Sequence, residues 1–207
     1  MICNAKQIPV KDLMPSQREI DVEKVFEYIF TEEDFDRFFG KSVLLGDSPL
    51  VTFGGKYIVD GHHRWANIFI LNPKAKVEVL DFEPEDKSEG IEEFIERFDT
   101  ADTSEREMEQ DLYKCSDDDL KKYIGSGISN DCVDGLLKNG CIKEKEPAGS
   151  YDPEASQAIQ YLLKNAIELR DKHKPEKDAP KRMEMPQLVE QSSTESIDTL
   201  IKALLEI

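Results

Sequence analysis

Cations are in short supply in this chain: 27 Lys and Arg stand against 44 Asp and Glu, a net charge of −17 over 207 residues. Nucleic-acid binding is driven largely by Lys and Arg neutralising phosphates, so DNA is not expected as the main partner. An acidic surface suits docking onto a basic partner instead. Histidine is scarcer still, with three residues, and tryptophan is single. The four cysteines (Cys3, Cys115, Cys132 and Cys141) form no CxxC pair, and no His lies at zinc-finger spacing from them. That excludes a zinc ribbon and leaves buried or incidental thiols in a reducing compartment. No apolar run approaches the roughly 18 residues that a membrane span needs. Met1 to Gln7 offers no h-region for a signal peptide, so the expectation is a cytoplasmic protein with no membrane partner. The apolar fraction of 39% is below the usual globular share, which implies a compact domain accompanied by polar helical segments.

What is present falls into two textures. Up to about residue 85 the hydrophobic period alternates between strand and helix. Ile8, Val10 and Leu13 suggest a first strand, closed by Met14-Pro15-Ser16. Asp21 is placed to cap a helix carrying Val22, Val25, Phe26 and Ile29 on one face. Glu32 to Phe39 reads as its continuation, stopped by Gly40. Pro49 to Phe53 and Lys56 to Val59 are β-rich runs separated by Gly54-Gly55, a hairpin signal because both turn residues accept positive φ. A helix follows over 61–71, stopped by Asn72-Pro73, and Lys76 to Phe82 reads as another strand.

The second texture is acidic and helical. Ile91, Phe94, Ile95 and Phe98 have helical spacing within an Asp/Glu-rich stretch and suggest a solvated amphipathic helix. Ser116-Asp117-Asp118-Asp119 resembles a helix start, with Gly125 and Gly127 as its stop. Another helix is expected over 130–139, ending at Gly140; the pair is too acidic to be a DNA-reading helix-turn-helix. From Asp152-Pro153 an apolar stripe runs through Ala155, Ala158, Ile159, Leu162, Leu163, Ala166 and Ile167. Residues 172–193, with three prolines and many charges, suggest a flexible linker. The last segment, 194–207, carries Ile197, Leu200, Ile201, Leu204 and Leu205; so short a helix is marginal alone and either docks back or binds a protein partner. The expected class is α+β: a small mixed-sheet domain at 1–85, an acidic, mainly helical region at 86–171, a linker at 172–193 and a C-terminal amphipathic helix.

Chemistry concentrates in Asp60-Gly61-His62-His63-Arg64, where a strand turns into a helix and two of the three histidines stand together. Backbone N–H groups at such a helix start attract anions, and the helix dipole adds to the effect. Arg64 supplies a fork suited to phosphate. His62 and His63 can donate hydrogen bonds or move protons near neutral pH. Asp60 is placed to act as a base or to hold a metal ion. The plainer reading has Asp60 capping the helix and one His packed in the core; the strand–turn–helix setting favours a site. Trp65 packs the helix on the sheet or stacks on a base. Gly40-Lys41-Ser42 is not a P-loop, because Phe35 stands where the leading Gly should be.

Strand, Gly-Gly hairpin, strand and a helix opened by Asp-Gly-His-His-Arg resemble the ParB/sulfiredoxin superfamily. The opening stretch Ile8 to Asp21, with its Pro15-Ser16 turn leading into a helix, is similar to that superfamily's first segment. The resemblance covers residues 6–85, about two fifths of the chain. It implies a ParB/sulfiredoxin-like fold for this part and nucleotide binding (ATP, ADP or CTP, with Mg²⁺) through Gly61, His62, His63 and Arg64. Sulfiredoxins carry a reactive Cys where this chain has His62, which argues against their chemistry. Partitioning ParB proteins carry Gly-Glu-Arg-Arg and a basic DNA-binding domain, and neither is present. The motif is closest to that of the free-serine kinases, whose catalytic Asp, His and Glu match Asp60, His63 and Glu19. The implied function is phosphoryl transfer or nucleotide hydrolysis. The alternatives are a non-catalytic nucleotide-sensing or interaction module, in texture like a phage or mobile-element accessory or virion protein, and a ParB-like nuclease, which −17 disfavours.

Overall fold

The structure, a computed structural model, describes residues 2–44, 49–84, 88–96, 108, 110–144 and 155–185. The Asp152-Pro153 start, Phe98 and the 194–207 segment therefore lie outside the described residues.

Five strands form one mixed sheet: β1 (Ile2–Pro9), β2 (Met14–Pro15), β3 (Leu50–Phe53), β4 (Tyr57–Asp60) and β5 (Lys76–Glu83), in the order β1-β5-β3-β4-β2. The strand expected around Ile8 to Leu13 thus begins at Ile2 and gives way to a 3-10 turn at Val10–Asp12. The Gly-Gly hairpin forms as expected, with φ of +62° at Gly54 and +66° at Gly55. A buried carboxylate locks it: Thr52 Oγ1 and the Gly55 N–H donate to Asp81 Oδ1 at 2.8 and 2.7 Å, and Lys6 Nζ meets Asp81 Oδ2 at 2.8 Å. Beyond the turn, Val51 pairs with Asp60 but Thr52 with Ile58, so Val59 is an extra residue and a bulge immediately precedes Asp60.

Alternation along the strands gives the sheet two buried faces. Val77, Val79, Leu50 and Ile58 face the larger core, while Leu80, Phe82, Val51, Phe53 and Val59 face a smaller one. The larger core is covered by α1 (Val22–Thr31), α2 (His62–Leu71), α4 (Asp117–Gly127), α5 (Asn130–Lys138) and α6 (Gln157–Lys172). Asp21 caps α1 as its position suggests, accepting from Glu23 N at 3.1 Å, and Ser116 with Asp119 forms a capping box on α4. Glu32 to Phe39 does not continue α1; the helix stops at Thr31 and a separate 3-10 turn covers Phe35–Phe39.

Three expectations about the acidic half change. Gly125 does not end α4, which runs on through Gly127. Gly127 is there for contact: a Cβ on it would stand 2.3 Å from Phe30 Cε2. The last long helix begins at Gln157 behind a Ser156 cap whose hydroxyl accepts from Ile159 N at 3.2 Å. The solvated helix of 91–98 is instead a short buried prop, α3 (Ile91–Ile95), because Phe94 wedges between Phe53 and Phe82 at centroid distances of 4.7 and 5.2 Å. It closes the smaller core together with Met185.

The texture boundary at residue 85 is not a boundary between cores. Leu120, Ile124, Leu136, Ile159 and Leu162 share one cluster with Phe26, Trp65 and Phe69. Tyr161 and Asn165 of α6 donate to the carbonyls of Leu71 and Ile70 at 2.9 and 2.8 Å, satisfying the orphan C-terminal acceptors of α2. Nor does the stretch after α6 hang loose as far as it is described. His173 is buried against Trp65 and Phe69, Ala179 and Met185 are buried, and the Arg18 N–H donates to the Pro180 carbonyl at 3.0 Å. Residues 173–185 form a strap across the loop that joins β2 to α1. Among the described residues no helix is long and apolar enough to cross a membrane.

Candidate functional site

The start of α2 is built by a residue that only glycine can be. Gly61 holds φ +95° at the junction of β4 and α2, in the left-handed region. A Cβ there would stand 2.5 Å from Leu50 Cδ2 and 2.9 Å from Arg64 Nη2. The glycine thus lets the guanidinium fold back over the helix start. No side chain caps α2, whereas α1, α4, α5 and α6 are capped by Asp21, Ser116, Ser129 and Ser156. Arg64 itself is buried, its Nη2 lying 3.8 Å from Asp60 Oδ2. Burial pulls its pKa down, while the charge of Asp60 and the neighbouring Tyr28 of α1 push it back. Asp60, Gly61 and Arg64 therefore form one compact unit.

The two histidines part company. His62 is 4% exposed; its Nε2 accepts from the Ser16 N–H at 3.3 Å and its ring also hydrogen-bonds Ile58. Burial drives its pKa down to about 3, so the ring is neutral and braces the loop after β2. Both ring contacts are to protein backbone, at Ser16 and Ile58, in place of the phosphate expected of it. His63 is half-buried and its Nε2 accepts from the Asp21 N–H at 3.2 Å, tying the start of α2 to the cap of α1. Glu19 is held by the stretch of chain after α6: its Oε2 accepts from the Arg182 N–H at 3.3 Å. Arg182 Nη1 also reaches Asp21 Oδ2 at 3.3 Å. Arg182 and Asp21 thus link Glu19 to His63. Asp111, buried beside them, accepts from the N–H groups of Ile20 and Tyr113 at 3.3 and 3.2 Å.

Three residues of this neighbourhood were not singled out by the sequence. Tyr28 lies off the buried stripe of α1 and is 42% exposed, so its place beside Arg64 carries no sequence signal. Asp111 and Arg182 carry no local signal. Trp65 is fully buried and its Nε1 donates to the Val10 carbonyl at 3.0 Å, so its role is packing, not stacking on a base.

The chain was compared with family models, curated proteins and solved structures. It matches none of them.

The residues present fit an oxyanion better than a resident metal. Among the described residues no group of three His, Cys, Asp or Glu could hold a metal ion. The uncapped helix start with its guanidinium offers donors of fixed direction to a phosphate. A shallow open recess lies elsewhere, walled by Pro15, Ser16, Tyr57, Ile91 and Pro180, and includes none of Asp60 to Arg64.

Proposed function

We propose that this chain is a ParB/sulfiredoxin-like protein that binds a nucleotide through the first turn of α2 and transfers or hydrolyses its terminal phosphate. The observation that carries the reading is the uncapped start of α2 under a buried guanidinium, with a carboxylate as its partner. Arg64 and the backbone N–H groups of the first turn take the phosphate oxygens. A phosphate that engages Arg64 loosens its hold on Asp60, which then accepts the proton of the attacking hydroxyl or water. Phosphoryl transfer asks little more of a protein than charge neutralisation and positioning. Mg²⁺ bound to the nucleotide would serve as the counterion of its phosphates. The strand–hairpin–strand–helix order leading into Asp60 and Gly61 supports the family reading.

The test is turnover of ATP, ADP and CTP with Mg²⁺ by the native chain and by Asp60→Ala. The proposal expects turnover that Asp60→Ala abolishes while binding persists; unchanged turnover would make the carboxylate structural. A second reading, a nucleotide sensor without turnover, is favoured by one observation. His63 Nε2 already accepts the Asp21 N–H and Glu19 Oε2 the Arg182 N–H, so both expected partners of Asp60 are engaged in holding the backbone. Saturable binding with no phosphate release would decide for it.

A further inference from the structure

Resting on the phosphate site just proposed, we infer that Arg182 is a positioning residue of that site: carried there by the strap 173–185, its guanidinium neutralises Asp21 while its backbone N–H holds Glu19, so that an anion can approach the start of α2. The strap is fastened along its length. The His173 ring nitrogen Nδ1 meets the Leu13 carbonyl at 3.2 Å, and Tyr113 OH donates to the His173 carbonyl at 3.0 Å. Tyr57 OH donates to Glu176 at 3.2 Å, and the Arg18 N–H to Pro180 at 3.0 Å. Next comes the 3-10 turn Arg182–Glu184, then Met185 in the smaller core. The path leaves Arg182 little freedom, and its side chain is 13% exposed.

Its two partners explain why a cation is needed there. Asp21, 3% exposed, is both the cap of α1 and the donor, through its N–H, to His63 Nε2. Glu19 stands two residues before it and takes the Arg182 N–H. The carboxylates of Glu19, Asp21 and the buried Asp111 thus share this corner, which meets the start of α2 through the Asp21–His63 contact. Like charges in a partly dry corner repel strongly. Arg64 is committed to Asp60 and Lys114 to Asp111. The cation that meets Asp21 comes from the far end of the chain, 161 residues away. Loss of the strap would therefore turn the corner anionic and loosen the Asp21–His63 contact together, which makes the strap a means of switching affinity.

The experiment measures the dissociation constants of MgATP, MgADP and MgCTP for the full chain and four variants: Arg182→Ala, Arg182→Lys, Asp21→Asn and the double variant Arg182→Ala/Asp21→Asn. Urea midpoints restrict the comparison to folded protein. Asn keeps the helix cap while removing the charge. The expected results are affinity about tenfold weaker in Arg182→Ala (about 1.4 kcal/mol) and about threefold or less in Arg182→Lys. Asp21→Asn alone should bind at least as tightly as the native chain, and it should restore most of the Arg182→Ala loss. If Arg182→Ala fails to fold, the Arg182→Lys and Asp21→Asn results still decide. Native binding that Arg182→Ala leaves unchanged, or that Asp21→Asn weakens, overturns this inference and spares the site. No binding by the native chain removes both.

Discussion

Replacing Gly61 by alanine strains the chain in two ways that can be separated. The left-handed backbone at φ +95° costs a residue with a Cβ roughly 1–2 kcal/mol. The added methyl would stand 2.5 Å from Leu50 Cδ2 and 2.9 Å from Arg64 Nη2, so both must move. Overpacking of this kind costs roughly 1–3 kcal/mol. Alanine recovers about 0.4–1 kcal/mol by restricting the unfolded chain. The net expectation is a loss of about 1–5 kcal/mol, centred near 3 kcal/mol. Gly140 supplies the control: its φ is +71° and nothing lies within 4 Å of its would-be Cβ. Gly140→Ala should therefore carry only the net backbone cost, about 0–1.6 kcal/mol. Urea denaturation of the three proteins, with the m-value checked for constancy, gives both numbers. Should Gly61→Ala cost no more than Gly140→Ala, the guanidinium does not lie against the glycine and the reasoning about the site is refuted.

Other expectations test other joints. With a folded pKa of about 3 against an ordinary 6.5, His62 stabilises the fold fully above pH 6.5 and loses that contribution as pH falls below it, at ~1 kcal/mol per pH unit. His62→Gln should flatten the slope of the urea midpoint between pH 6.5 and 5; an unchanged slope means the ring is not held neutral. Phe94→Ala should cost about 3–5 kcal/mol, as for a core aromatic, whereas a solvated helix would lose under about 1 kcal/mol. Gly135→Ala gains about 1 kcal/mol of helix propensity, yet a methyl there would stand 2.4 Å from Phe35 Cγ. Net destabilisation is expected, and a more stable variant would show that α5 does not press on that ring.

Much of the fold is written in local signals. Gly54-Gly55, Asp21, Ser116 and the switch from strand to helix at Gly61 each act through the backbone of their own turn, so neighbours in sequence suffice to read them. Phe94 shows where that ends: helical spacing is identical whether the apolar stripe meets water or Phe53 and Phe82. His62 and His63 are adjacent and chemically equal in the sequence. They are told apart only by the loop after β2, which brings Ser16 to one and Asp21 to the other from more than forty residues away. The helix start, Asp60 and Arg64 were legible as a candidate site because five consecutive residues carry them, from the last of β4 into the first turn of α2. The strap was not, since prolines and charges read as a linker until Pro180 and Arg182 find the partners that hold them. Asp81 hid in a strand pattern, where its partners Thr52 and Lys6 become visible only once the register is known.

The central claim is that the first turn of α2 holds a nucleotide phosphate, and a thermal-shift titration of the native chain with ATP, ADP and CTP, each with and without Mg²⁺, tests it most directly. At about 100 times its dissociation constant the right nucleotide adds roughly 2.7 kcal/mol, worth about 5–10 °C in a chain of this size. A saturable rise with one of the three is the result expected. If none moves the midpoint at millimolar concentration, the account of the site is contradicted.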